Sequence, residues 1–196
     1  MAALPAEFAA TSQDSPIDAI VIGAGPAGVV SLRNLLKVNL NAISIERQSG
    51  VGGLWIDHTP PYSSLQVLRS DWALHGVGCG DKDTDQRRFI RDDVCNWVEE
   101  YVESQGIGDR IFLNTEVAKV TPLKPLLFEV DVYTVQDCGY LGGGKRIERT
   151  RAQIYSRAIL VCAGTFDPGI RLIKFRPGKS PLYPQIRGIG NSNLSN

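Results

Sequence analysis

The first quarter of the chain alternates between short apolar runs and polar breaks. The run Ile17–Ile22 is apolar apart from Asp18 and has the length of a strand. Apolar residues then recur at helical spacing, at Val29, Val30, Leu32, Leu35 and Leu36. A second short apolar run, Ala42–Ile45, follows them. This order predicts a parallel strand–helix–strand unit over residues 17–46.

The next apolar pattern at helical spacing begins at Phe89. Residues 47–82 are rich in Gly, Pro, Ser and aromatic residues, and they are predicted to form one long loop. An amphipathic helix is predicted over Phe89–Gln105, with Asp92 and Asp93 in its first turn and Gly106 as its stop. Its apolar stripe consists of Val94, Trp97, Val98, Tyr101 and Val102.

The later apolar runs predict further strands. Arg110–Leu113 and Glu116–Val120 are expected in parallel-sheet positions. Two arms of an antiparallel hairpin are expected at 126–136 and 146–156, with Gly139 and Gly142–Gly144 in the loop between them. Ala158–Gly164 is expected to be a buried strand that ends in a turn of small residues. The fold class is therefore α/β, a Rossmann-like parallel sheet with an inserted antiparallel β-hairpin.

Composition narrows the class of protein. The chain has 21 Lys and Arg and 21 Asp and Glu residues, so its formal net charge is zero, which argues against a nucleic acid or an anionic membrane as partner. No apolar run approaches the ~20 residues that span a bilayer. Four cysteines lie at no metal or redox spacing, and two histidines are too few to indicate a metal site. Reduced thiols in a cytoplasmic protein are the expectation.

The glycine pattern Gly-x-Gly-x-x-Gly at residues 23–28 carries the clearest chemistry. Between a strand and a helix, it is typical of dinucleotide binding, because the helix start offers free N–H groups and a positive dipole end to phosphates. Gly23 would permit the tight turn, Gly25 the approach of the pyrophosphate, and Gly28 the close packing of helix on strand. Glu46 ends the second strand, 18 residues after Gly28, where an acid that holds a ribose is expected.

The loop after Glu46 favours a flavin over a nicotinamide dinucleotide. Gly52, Gly53 and Trp55 would let an extended dinucleotide approach the backbone and a flat ring lie against the indole. A glycine-rich loop with a buried Trp is the open alternative. Disulfide reductases share the first motif, but they carry a redox cysteine pair at the position of Leu54 and Trp55, and residues 1–78 contain no cysteine.

Together these motifs resemble the flavin-containing monooxygenases, a group related to the Baeyer–Villiger monooxygenases. The matching segments are 23–28, Glu46 with Arg47, 52–55, 114–117 and 162–168. The resemblance implies FAD as cofactor, with the pyrophosphate at Gly23–Ala27, the adenosine ribose at Glu46, the flavin side at Leu54 and Trp55, and the adenine at the Val117 backbone. The residues assigned to the cofactor site are Gly23, Ala24, Gly25, Pro26, Ala27, Gly28, Glu46, Arg47, Gly53, Leu54, Trp55, Val117, Ala163 and Gly164.

The sequence departs from the family in three places. The asparagine usual after Gly-Gly-x-Trp is absent, and Arg69 or Ser70 occupies its place. The second glycine motif, expected to hold NADPH, is reduced to 188–193, with Asn193 in place of its last glycine. The segment that closes over the ribityl chain in full-length members would lie beyond residue 196.

The resulting expectation is an FAD-dependent, NADPH- and O2-consuming monooxygenase of a small organic metabolite, in truncated form. Its expected parts are a disordered leader at 1–16, an FAD-binding domain at 17–167, and an irregular tail at 168–196 with no NADPH domain. Open alternatives are a non-catalytic FAD-binding remnant, and one chain of a split enzyme whose second chain supplies the NADPH domain. No side chain is assigned as catalytic.

Overall fold

A six-stranded mixed sheet organises the protein. The computed structural model describes residues 10–57, 59–68, 88–136 and 147–164. The strands described are β1 (Ile17–Ile22), β2 (Ala42–Ile45), β3 (Ser64–Leu68), β4 (Arg88–Ile90), β5 (Ile111–Phe112), β6 (Thr115–Lys124), β7 (Leu127–Gln136) and β8 (Ile147–Val161). The helices are α1 (Pro26–Lys37), α2 (Leu54–Asp57) and α3 (Arg91–Gln105), with a 3₁₀ turn at Gly108–Arg110.

The strand order in the large sheet is β5-β2-β1-β8-β7-β6, and a separate two-stranded sheet pairs β3 with β4. Strands β5, β2, β1 and the end of β8 run parallel. The start of β8 pairs antiparallel with β7, and β7 with β6, so these three strands form a β-meander. The predicted α/β fold with an inserted antiparallel hairpin is confirmed.

The two faces of β1 carry two different cores, because side chains on a strand alternate between faces. Ala19 and Val21 pack with α1 and α3 in a helix-side core, and Ile20 and Ile22 pack in a meander-side core. The meander-side core also contains Ile43, Ile45, Val120, Val130, Val132 and Ile154, all buried. The parallel sheet is therefore the middle of three layers, between helices and the meander.

The predicted unit over residues 17–46 is confirmed. In α1, Pro26 occupies the first turn, where its missing N–H costs no helical hydrogen bond. Val29 and Leu32 are fully buried beneath the helix, and Val30, Leu35 and Leu36 pack partly against the same core. The predicted helical spacing thus marks the face of α1 that contacts the sheet.

Helix α3 begins two residues later than predicted. Phe89 and Ile90 belong to β4, because the Ile90 backbone is extended and its N–H donates to Asp93 Oδ2 at 3.1 Å. That carboxylate stops the helix from starting earlier. The predicted end at Gly106 is confirmed by its left-handed conformation, φ +62°. The five stripe residues, Val94, Trp97, Val98, Tyr101 and Val102, are all buried, as predicted.

Two of the strand assignments need correction. Glu116–Val120 lies in β6 and pairs antiparallel with β7, not parallel, since the chain leaves the parallel sheet at Asn114, φ +50°. Ala158–Val161 is not a separate buried strand but the end of the 15-residue β8, and Val161 is 52% exposed. The hairpin arms at 126–136 and 146–156 are confirmed as β7 and the first part of β8.

The stretch 47–82 is not loop throughout, because α2 and β3 lie within it. Residues 10–16 approach the start of the sheet, where the Tyr155 backbone N–H donates to Thr11 Oγ1 at 3.1 Å. Several predicted features fall outside the described residues: most of the leader, Arg69 and Ser70, Gly139, Gly142–Gly144, and 168–196 with its remnant motif. None of the described helices is both long and apolar enough to cross a bilayer.

Candidate dinucleotide-binding site

The turn between β1 and α1 depends on two glycines for steric reasons. Gly23 has φ +103°, and a Cβ there would lie 2.6 Å from the Cys162 carbonyl oxygen. Its N–H donates to Ile45 O at 2.8 Å, and its own carbonyl accepts from the buried Ser44 Oγ at 3.1 Å. A Cβ on Gly28 would overlap the Gly23 carbonyl oxygen. Both positions exclude a side chain, so the helix start can lie directly against the strand end.

Gly25 and Gly53 bring the two predicted loops together. A Cβ on Gly53 would lie 3.1 Å from Gly25 Cα, and one on Gly25 would lie 3.6 Å from Gly53 Cα. The Gly52 N–H donates to Ala24 O at 3.0 Å, which joins the loops by their backbones. Gly52 and Gly53 both have positive φ, +128° and +65°. Gly52 and Gly53 therefore lie on the same surface as the turn at residues 23–28, although the two segments are far apart in sequence.

Only part of the first loop can donate to a phosphate. The N–H of Gly23 is bonded to Ile45 O, the N–H of Ala24 is bonded to Glu46, and Pro26 has no N–H. That leaves Gly25, Ala27 and Gly28 as donors at the start of α1, where helical N–H groups lack partners within the helix. No side chain caps this end, and its first turn holds no acid. The positive end of α1 is therefore available to an anion.

Glu46 is buried and bonded on both carboxylate oxygens. Its Oε2 accepts from the Ala24 N–H at 2.7 Å and its Oε1 from the Gln48 N–H at 2.8 Å, and the residue is 5% exposed. It is thus not a surface acid. A carboxylate has about four lone-pair sites, so two hydrogen bonds leave acceptor capacity for a ribose hydroxyl.

The residues predicted to lie near the flavin and beside Glu46 differ in how deeply they are buried. Leu54 is 37% exposed, whereas Trp55 packs partly against the helix-side core, and its carbonyl accepts from Cys95 Sγ at 3.4 Å. Arg47 is half-buried. The Trp55 side chain therefore lies partly in the interior, whereas Leu54 is exposed on the surface.

The last predicted residues reach the site along two strands. The Thr115 N–H donates to Glu46 O at 2.8 Å, so β6 starts beside the end of β2, two residues before the half-buried Val117. The Cys162 N–H donates to Ile22 O at 2.8 Å. This bond sets the exposed Ala163 and Gly164 next to the Gly23 turn.

Several residues at this site were not among those predicted. Ser44 holds the Gly23 carbonyl, and its sequence signal is a lone hydroxyl in an apolar strand. Gln48, 8% exposed, supplies an N–H to Glu46, and its side-chain Oε1 is buried without a partner among the described residues. Among the described residues, no group of three or more His, Cys, Asp or Glu side chains is placed to hold a metal ion.

No family model matches the chain. Its sequence is similar to those of flavin-containing monooxygenases of Arabidopsis thaliana. Flavin-containing monooxygenase FMO GS-OX3 of Arabidopsis thaliana is 28% identical over 189 residues, which cover 81% of this chain and 38% of the relative. Putative flavin-containing monooxygenase FMO GS-OX-like 11 of the same plant is 30% identical over 128 residues, which cover 52% of this chain and 76% of the relative. The chain thus spans well under half the length of the first relative.

Solved structures share the fold. An oxidized steroid monooxygenase bound to NADP superposes with a TM-score of 0.59 at 19% identity, over 76% of this chain and 26% of that one. S-allyl-L-cysteine S-oxygenase from Allium sativum superposes with a TM-score of 0.58 at 24% identity, over 76% of this chain and 36% of that one. With a relative 30% identical and three-quarters covered, the chain belongs to the flavin-containing monooxygenase family.

Proposed function

We propose that this chain binds FAD across the turn at residues 23–28 and serves as the FAD-binding part of an NADPH- and O2-dependent monooxygenase of a small organic metabolite. The observation that carries the proposal is the convergence of two glycine loops, at Gly25 and Gly53, on the uncapped start of α1. Membership of the family supports the same cofactor. We further propose that the protein acts in the cytoplasm.

The described residues fit FAD by shape and by donor set. The start of α1 offers the N–H groups of Gly25, Ala27 and Gly28 to a pyrophosphate. On the adenosine side, Glu46 keeps lone pairs for a ribose, and the buried Gln48 Oε1 is a further acceptor. A bound dinucleotide would therefore meet positive dipole at its centre and acceptors at its sugar.

The protein's own part in the reaction is binding and orientation. Bound FAD would supply the electron transfer from NADPH to oxygen on which oxygenation depends. Gly53 and Leu54 would bound the flavin side, and Trp55 would exclude water there with its partly buried indole. The reduced glycine motif at 188–193 falls outside the described residues, and we propose that NADPH is held by a second chain.

Binding of FAD is tested by purifying the chain and measuring the absorbance of flavin released on denaturation. Retention of FAD is expected, together with weaker retention of FMN, because FMN lacks the adenosine half that Glu46 and Val117 would contact. Equal retention of FMN would contradict the placement of the adenosine. A Gly25→Val variant should lose FAD, since its branched side chain would reach Gly53 and part the two loops.

A further inference from the structure

The Glu46 carboxylate joins the two loops of the candidate site through backbone groups alone. Ala24 lies in the phosphate loop, and Gln48 begins the loop that leads to Gly53; both donate N–H groups to this one carboxylate, at 2.7 and 2.8 Å. The Glu46 backbone is held as well, since its N–H donates to Phe112 O at 2.9 Å and its carbonyl accepts from Thr115 at 2.8 Å. The side chain therefore projects from a fixed point of the sheet.

These hydrogen bonds are of the stronger kind. A carboxylate that accepts from an amide makes a charge-assisted bond, and burial at 5% exposure reduces competition from water. No ion pair within the described residues neutralises Glu46, so the two amides are the groups that stabilise its charge there. Removing the carboxylate would leave two buried N–H groups without acceptors.

The peptide between Gly23 and Ala24 precedes the donors left for phosphate. The Ala24 N–H of this peptide donates to Glu46, and the Ala24 carbonyl, in the next peptide, accepts from the Gly52 N–H. The chain then enters α1 with Gly25 extended, φ −70° and ψ 179°. The orientation of this peptide sets which way the next N–H groups point. Glu46 thus holds these backbone groups in the ligand-free chain, before any ribose is bound.

We propose that Glu46 is a positioning residue of the phosphate loop, and that its effect on nucleotide binding is exerted through Ala24 and Gln48 independently of the ribose hydroxyls. The proposal rests on the proposed function for its ligand. It differs from a ribose contact alone in one consequence: the loss of the carboxylate weakens binding even of a dinucleotide whose adenosine has no ribose hydroxyls to offer.

The test is a double-mutant cycle between protein and ligand. The dissociation constants of FAD and of an FAD analogue with 2′,3′-dideoxyadenosine are measured with the unmodified chain and with Glu46→Gln. Glutamine keeps the size but replaces one acceptor oxygen with an amide NH2 group, a donor that would face a backbone N–H donor. A loss of about tenfold is expected for both ligands. A loss for FAD with none for the analogue would overturn the proposal.

A matched control lies at the other end of the same sheet. Asp18 Oδ2 also accepts from a backbone N–H, that of Asn41 at 2.9 Å, at the start of β1. Asp18→Asn neutralises a more exposed carboxylate that holds one backbone amide away from the glycine loops, and it should leave both dissociation constants unchanged. Equal losses in Asp18→Asn and Glu46→Gln would mean that general destabilisation explains the effect, and would also overturn the proposal.

Amide hydrogen exchange in the ligand-free chain separates this proposal from the function itself. Glu46→Asp, whose shorter side chain cannot reach both amides, should raise the exchange rates of Ala24 and Gln48 about tenfold, with the Ile20 amide unchanged. If the chain binds no FAD but these two amides lose protection, the proposed function fails, whereas the role of Glu46 in positioning the two loops stands. Unchanged exchange at both amides would refute the positioning role whatever the chain binds.

Discussion

Single glycines at the candidate site differ sharply in what a side chain would meet. Gly28 faces a backbone carbonyl that cannot move without disrupting the turn, whereas Gly25 faces Gly53 at an ordinary contact distance. The sequence motif already predicts different roles for the two, close packing of helix on strand at Gly28 and approach of a ligand at Gly25. The overlap at Gly28 agrees with close packing there, and the ordinary distance at Gly25 shows that the fold itself makes no such steric demand at that position.

Gly28→Ala should therefore destabilise the fold, and Gly25→Ala should not. Alanine favours a helix over glycine by about 1 kcal/mol, but overlap with the Gly23 carbonyl should outweigh this gain and lower the free energy of unfolding by about 2 kcal/mol or more. Gly25→Ala should stay within about 1 kcal/mol of the unmodified chain. Urea unfolding of both variants measures this, and equal stability of the two would contradict the steric account.

Tyr101 gives the stability of the chain a dependence on alkaline pH. Burial raises the pKa of Tyr101 above its usual value of 10.0, and Arg33 nearby opposes this in part. Above about pH 10 the unfolded chain loses this proton while the folded chain keeps it, so the free energy of unfolding falls as pH rises from there toward the folded pKa. Below pH 10 the contribution of Tyr101 is fully present.

Tyr101→Phe should remove that decline. Because the hydroxyl is buried without a partner among the described residues, the variant should equal or exceed the unmodified chain at pH 7, by up to about 1 kcal/mol. Urea unfolding at pH 7 and above pH 10 measures both effects. Tyr62→Phe, at an 85% exposed residue, is the control and should change neither. A marked loss at pH 7 in Tyr101→Phe would reveal a hydrogen bond to this hydroxyl.

At the scale of elements, the periodicity of apolar residues predicted whether a segment is a helix or a strand better than it predicted the direction of a strand within the sheet. The stripe of α3 and the apolar run of β1 are confirmed because burial on one face imposes its own spacing. The antiparallel course of Glu116–Val120 could not be predicted, since an alternating pattern is the same in either direction. The union of two predicted segments into β8 was hidden for a related reason: the strand leaves the meander and enters the parallel sheet without a break.

Two neighbouring residues of β6, one buried and one exposed, allow the packing of the meander-side core to be tested by substitution. Val120 is 2% exposed and packs on this core, whereas Lys119 is exposed on the opposite face. Val120→Ala should lower the free energy of unfolding by about 1–3 kcal/mol, and Lys119→Ala should change it by less than about 0.5 kcal/mol. Chemical denaturation of the pair measures this. Equal effects would mean that the meander does not bury this face of the sheet.

At the scale of the whole molecule, the described residues contain one strand–glycine turn–helix unit, and it is the candidate FAD site. The glycine motif, Glu46 and the paired glycines could be predicted from sequence because each meets a local demand for backbone freedom or charge. The hydrogen bonds of Ser44 and Gln48 could not, since they depend on how distant strands are brought together.

Hydride transfer requires two nucleotides held within reacting distance. Because the described residues hold one such nucleotide-binding unit, the chain supplied with FAD is expected to consume NADPH no faster than free FAD does. The measurement is the loss of NADPH absorbance with and without the chain, and addition of a chain carrying a nicotinamide-binding domain is the complementary arm. Saturable, substrate-stimulated consumption by this chain alone would contradict the expectation and indicate a complete enzyme.

The pairing of β1 with β8 has a consequence for the order of folding. Ile17 lies opposite Ser156, and Ile22 opposite Val161, so the first and last described strands of the sheet are neighbours. Contacts between residues so distant in sequence form late, because a long loop must close first. During synthesis, the turn that holds Gly23 has no Cys162 to pack against until Cys162 has left the ribosome. The candidate nucleotide site is thus completed by the end of β8, and binding of FAD should follow folding of the whole sheet.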